Sequence, residues 1–137
     1  MTGKARGSKF KPGQVWSYHN RPGENQSHIL VLDVEDKETD GQEKVLIHVY
    51  VGGLSIETPY GVIPAVPFLV FTKHALDKSV TKLIGRTRSR PDIRLGKFIW
   101  STTTVRGKPI FYDTEVSHAI DLIEGTYGIM PMIYAID

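Results

Sequence analysis

Apolar and polar positions along this chain follow a period of two up to residue 57 and a helical period in two later stretches. The segment Gln14-Val-Trp-Ser-Tyr18 follows the turn signal Lys11-Pro-Gly13 and reads as a strand, because aromatic residues and Val suit a pleated surface. Asn20 to Asn25 is a loop built on Pro22 and Gly23. Residues 26–36 form a second strand, with Leu30, Leu32 and Val34 on one face and Ile29 and Val31 on the other. A polar turn over 36–41 ends in Asp40-Gly41, a pair that supplies the positive φ angles a tight hairpin needs. Residues 44–51 alternate most cleanly: Val45, Ile47, Val49 and Val51 oppose Leu46, His48 and Tyr50. A short further strand is expected over 54–57, so residues 10–57 read as a curled antiparallel meander.

Pro59, Pro64 and Pro67 then confine the next segment to irregular structure or a sheet edge. A first helix is expected over 72–85, capped by Thr72 and stopped by Gly85, with Ala75, Leu76, Val80, Leu83 and Ile84 on one face. A second is expected over 114–125, with Val116, Ala119, Ile120 and Ile123 on one stripe and Gly125 as its stop. Between them, the β-branched and aromatic run 98–105 reads as a strand, and the apolar 129–136 as a strand or extended segment on the core. The expected fold is α+β: a small, curled, antiparallel, SH3-like and barrel-like sheet with two packed helices. Residues 1–9 are small and basic and read as a flexible tail before a single domain over 10–137.

Composition narrows the function classes. The chain contains no cysteine, which removes disulfides, thiolate metal sites, iron–sulfur clusters and thiol nucleophiles. No secretory leader and no apolar run of roughly 18–20 residues is present, so the expected location is cytoplasmic and no membrane partner is expected. No phosphate cradle, nucleophile elbow or dinucleotide fingerprint occurs, and no cofactor is expected.

Charge changes the picture more. The net +2 conceals four blocks: +5 over 1–23, −6 over 24–57, +8 over 58–112 and −5 over 113–137. The densest basic stretch holds Arg86, Arg88, Arg90, Arg94, Lys97, Arg106 and Lys108, with Phe98 and Trp100 among them. Two readings of that stretch compete. It is a phosphate footprint with stacking aromatics, or its Arg and aromatic residues are protein-interface anchors whose charge is balanced within the domain or across an oligomer. A pI of 8.8 falls short of the strongly basic value that favours nucleic acid. The partner-binding candidates are therefore Arg86, Arg88, Arg90, Arg94, Lys97, Trp100 and Arg106, facing a protein in the first reading and single-stranded nucleic acid in the alternative.

The five histidines, His19, His28, His48, His74 and His118, make no metal-ligand pair by spacing, and no metal is expected. His28 and His48 fall on neighbouring strands and are half-exposed strand residues in the simplest account; each is a candidate general base in the other. His74 and His118 belong to exposed first helical turns. Asp33, Glu35, Asp36, Glu38 and Asp40 miss the calcium-loop spacing and read as a solvated hairpin tip. Trp16 reads as core, and Tyr18, Tyr50 and Tyr60 as core or rim.

Pro12-Gly-Gln-Val-Trp16, the loop Arg21-Pro-Gly-Glu24 and the strand His28-Ile-Leu-Val-Leu32 together resemble the opening of SH3-like small barrels. Among these the pattern is similar to the MazF/PemK toxins, over about a quarter of the chain. That resemblance implies a small barrel and metal-independent RNA cleavage by an arginine after the loop and a hydroxyl on a later strand. This chain has Ser27-His28 where the family usually has Arg-Pro, while Arg21-Pro22 lies earlier, inside the loop. On an RNA-cleaving reading the candidate catalytic residues are Arg21, His28 and His48. The leading expectation is a non-enzymatic binding module for a macromolecule, preferentially a protein, of a regulatory or toxin-neutralising type.

Overall fold

Strand β1 (Gln14–Tyr18) starts where Gly13 turns the chain at φ +94°, a conformation that favours glycine. A Cβ there would sit 2.7 Å from the Thr87 carbonyl oxygen, so this turn also needs glycine for space. Gly13 N–H donates to Val31 and its carbonyl accepts from Thr87, tying the chain to both sides just before β1 begins. Those neighbours are β2 (His28–Thr39) and, antiparallel on the other side, a strand over Val80–Arg86. The computed structural model describes residues 8–39, 41–89, 91–92, 94–102, 104–105 and 108–135.

β2 continues through the acidic run to Thr39 and returns as β3 (Gln42–Gly52), with Thr39 opposite Gln42. The polar stretch is thus strand as far as Thr39, and Gly41, at φ +76°, lies in the turn before Gln42; Asp40 lies outside the described residues. After β3 come the small hairpin β4 (Ile56–Thr58) and β5 (Gly61–Ile63), then β6 (Val66–Thr72). β6 pairs with β3 at the sheet's edge, where Pro67 is tolerated.

Helix α1 (Lys73–Ser79) begins at Thr72 as expected. The Thr72 hydroxyl accepts from Ala75 N–H and donates to Asp113. The helix ends six residues before Gly85. Val80 is already extended, and Val80–Arg86 forms β7 on the open edge of β1, with Trp16 opposite Leu83 and Tyr18 opposite Val80. The unpaired backbone of β1 supplies a ladder, and the β-branched Val80 and Thr81 fit it better than a third helical turn.

The sheet order is β6-β3-β2-β1-β7, antiparallel throughout, and its two edges do not meet. The fold is α+β, as the sequence implies, but the sheet is open rather than closed into a barrel. Its inner face carries Trp16, Ile29, Val31, Ile47, Val49, Val51, Leu69 and Phe71, packed against Ala75 and Leu76 of α1 and Val116, Ala119 and Ile120 of the last helix. Phe10 closes one end, its ring edge-on to Trp16 at 5.4 Å. Lys9 lies over both rings and pairs with Asp77, so the tail is anchored from that residue. Residues 1–7, the rest of the expected tail, lie outside the described residues.

Two segments differ in type from their expected form. The run expected as a strand over 98–105 is mostly helix: α2 spans Arg94–Thr102, followed by the two-residue strands β8 (Thr104–Val105) and β9 (Lys108–Pro109). Asp92 accepts from Arg94 N–H at the start of α2, offsetting the strand preference of Ile99 and Thr102. The last helix, α3 (Val116–Ala135), passes Gly125 and takes in residues 129–135 of the expected C-terminal strand; residue 136 lies outside the described residues. Its first N–H is accepted by Ser79 Oγ, which itself donates to Ala75, so α1 and α3 meet through one buried hydroxyl.

Candidate functional site

The loop before β2 brings Arg21 into contact with three carboxylates. Glu24, three residues on in the same turn, takes two parallel hydrogen bonds from Nε and Nη2 at 2.9 and 2.7 Å. Nη1 donates to Asp121 at 3.0 Å and Glu124 at 3.1 Å, both on α3. Glu24 also accepts from Ser55 N–H at 2.7 Å, and its side chain is only 2% exposed. Burial alone would raise the Glu24 carboxyl, but the hydrogen bonds from Arg21 and Ser55 outweigh it and hold it below the ordinary range. The same bonds raise the Arg21 guanidinium further above its already high value. Glu124 is lowered chiefly by the Glu57 N–H it accepts. Arg21 is thus a tie between the β1–β2 loop and α3, its fork already occupied by carboxylates.

The sheet separates Arg21, on the α3 side, from both histidines, which point to the outer face. His28 and His48 lie on adjacent strands as expected but do not meet. His28 stands opposite Gly52 and His48 opposite Asp33, five residues further along β2, or roughly 15 Å. His28 is half-exposed, its Nδ1 donating to the Gln26 carbonyl at 3.2 Å and its Nε2 directed towards Gly52 and Tyr50. His48 differs from the half-exposed expectation: it is fully buried, and Nε2 donates to Glu35 at 2.6 Å. Its cover is aromatic, with Phe68 at 5.3 Å and Trp100 edge-on at 4.9 Å between ring centres. Glu35 is therefore an intramolecular partner, where the sequence reads a solvated tip. His74 and His118 are exposed in their first helical turns, as expected.

Trp100 is what seats α2 on the outer face. Besides His48, it has Lys37 Nζ 5.3 Å above its ring and donates Nε1–H to the Ile110 carbonyl. Away from Trp100 on α2, Leu95 is 70% exposed and Phe98 64%. Three residues apart, they form one stripe. Arg94 is exposed and paired with Asp92 at 2.7 Å, while Arg86 and Arg88 are exposed on the chain leading in. Arg90 and Arg106 lie outside the described residues, and Lys97 is placed on α2 by its backbone. Of the described basic candidates only Arg94 is on α2 itself; Arg86 ends β7 and Arg88 follows it, while Trp100 turns towards His48. The outward apolar pair, Leu95 and Phe98, is what sequence reasoning missed. The helical spacing Leu95-x-x-Phe98 behind the capping Asp92 was the available signal.

Among the described residues no group of three His, Asp or Glu side chains is placed to hold a metal, and no helix is long and apolar enough to cross a membrane. No protein-family model, curated protein or solved structure matches this chain.

Proposed function

We propose that this chain is a non-enzymatic binding module whose partner is a protein, engaged through the outer side of α2 in a regulatory or toxin-neutralising role. The observation that carries the reading is the exposed Leu95–Phe98 stripe, held on a helix that Trp100 fixes to the sheet. Burying two such side chains contributes about 1.5–3 kcal/mol each, so the pair supplies a central anchor of the kind interfaces depend on. Arg86, Arg88 and Arg94 are exposed in the segment that leads into and begins this helix, a basic stretch that favours an acidic partner. The catalytic alternative has less support. Arg21 is bound by three carboxylates, and His48 is buried against Glu35.

The test is capture from the source-cell lysate with the wild-type chain and with Leu95→Asp/Phe98→Asp as baits. The reading expects a protein retained by the wild type and lost with the double variant. RNA as the retained species, or RNA cleavage by the purified chain that Arg21→Ala abolishes, would overturn it.

A further inference from the structure

Beyond β7 the chain presents an exposed hydroxyl among arginines. The strand ends at Arg86, and Thr87 N–H is tied to the Gly13 carbonyl before the backbone leaves the sheet. Ser89, two residues later, is exposed and outside any strand or helix. Its N–H donates to Thr87 Oγ1 at 3.1 Å, and the Thr87 hydroxyl donates to the Ser89 carbonyl at 3.2 Å. The Thr87 hydroxyl is therefore engaged, whereas the Ser89 hydroxyl has no hydrogen-bond partner among the described residues. Arg86 and Arg88 are both exposed, and among the described residues neither enters an ion pair. The sequence singles out the same serine independently. Of all the serines and threonines in the chain, Ser89 alone follows an arginine by three residues. No aspartate or glutamate occurs from 78 to 91.

These features are what a protein kinase requires of a substrate. Phosphoryl transfer needs the acceptor oxygen in line with the γ-phosphate, so the hydroxyl has to lie on a segment that enters a cleft without unfolding a strand or helix. Selection among hydroxyls comes from charge, and an acidic substrate groove takes basic residues placed just before the acceptor. We propose that Ser89 is a phosphorylation site for an arginine-directed serine/threonine kinase, and that the modification weakens partner binding by cancelling charge in the basic stretch. The second half rests on the binding reading above; the first does not. In the reaction Ser89 Oγ attacks the γ-phosphorus of ATP and passes its proton to the kinase's catalytic carboxylate. The bond from that phosphorus to the β,γ-bridging oxygen breaks, and ADP leaves. The phosphate brings a charge of about −1.5 to −2 at neutral pH. Arg86, Arg88 and Arg90 together carry +3, so residues 86–90 fall to about +1. The phosphate oxygens also accept from guanidinium groups and so compete with a partner's carboxylates for the neighbouring arginines.

The test incubates the full chain with desalted source-cell lysate and ATP labelled in its γ-phosphate, then maps the label by tandem mass spectrometry. Label should sit on Ser89 and not on Thr87, and Ser89→Ala should lower incorporation about tenfold or more. Arg86→Ala, an exposed change that keeps the acceptor, should slow labelling about tenfold, the value of one charge-assisted contact. An unlabelled wild type, label elsewhere in the chain, or either variant labelled like the wild type would each overturn the proposal. The phosphorylated chain is then used as bait beside the unmodified one. It should retain at least about threefold less partner at about 0.05 M salt, with the gap narrowing at about 0.5 M. Equal retention would overturn the effect on binding. Failure of the binding reading is distinguishable from these results. If neither bait retains a protein that depends on Leu95, that reading falls and the effect on binding falls with it, while the mapped label still decides the site.

Discussion

Replacing Arg21 by Ala removes a side chain that joins the β1–β2 loop to α3. The consequence is uneven across its three partners. Glu24 is 2% exposed and keeps only the Ser55 N–H once Arg21 is gone. Breaking a buried pair from one side costs about 3–5 kcal/mol, and the surviving Ser55 bond places this case near the lower end. Asp121, at 61% exposure, adds no more than about 1 kcal/mol. The expected loss is therefore about 3–4 kcal/mol, or a drop of about 10 °C in Tm for a chain of this length. Urea unfolding followed by far-ultraviolet circular dichroism measures the first quantity and a thermal melt the second. A double-mutant cycle should give a coupling of about 2 kcal/mol or more for Arg21 with Glu24 and below about 1 kcal/mol for Arg21 with Asp121. A loss under about 1 kcal/mol for Arg21→Ala, or equal couplings to the two carboxylates, would refute the account of this tie. The pH dependence gives an independent check. Because the folded Glu24 carboxyl lies below its ordinary value of 4.5, its contribution is fully present above that value and disappears as pH falls through the lowered one. The stability gap between wild type and Arg21→Ala should accordingly narrow as the solution is taken into acid.

Three further outcomes follow from single contacts. Gly53→Ala places a Cβ 2.8 Å from the Gln26 carbonyl oxygen at a φ of +68°, and should cost roughly 1–3 kcal/mol in urea unfolding. Gly125→Ala meets open space in the middle of α3 and should stabilise the chain by about 0.4–1 kcal/mol, read as a higher urea midpoint with an unchanged slope. Glu35→Ala leaves the buried His48 Nε2–H without its carboxylate, at about 1–3 kcal/mol. It should also red-shift Trp100 emission in a Trp16→Phe background, because the support beneath that ring is lost.

Much of the sheet was legible because its signal is local. β1, β2 and β3 alternate with period two, Trp16 lies in the core, and Pro67 marks an edge. The errors share a different cause. Val80 to Ile84 carries apolar spacing that a helix tolerates, and only the free edge of β1 decides for a strand. Phe98 to Val105 is rich in β-branched residues, yet Trp100 finds a half-buried seat against His48 and draws the segment into a helix. Gly125 reads as a stop when seen alone, but α3 is held from both flanks, by Ser79 at its start and by Arg21 and Glu57 N–H at Glu124. The pairing of Glu35 with His48 joins residues 13 apart in sequence across a hairpin, and no composition rule isolates it. The charge blocks draw attention to 86–108 but not to Leu95 and Phe98, because net charge carries no information on which apolar side chains stay exposed.

The most direct test of the central claim is site-specific photocrosslinking in the source cell. A photoreactive amino acid is placed at Leu95, with a control at Lys78, which is exposed on α1 away from the α2 surface. The account predicts a discrete protein adduct at position 95 and none at 78, identified by mass spectrometry. Adducts to RNA at position 95, or the same adducts at both positions, would contradict it.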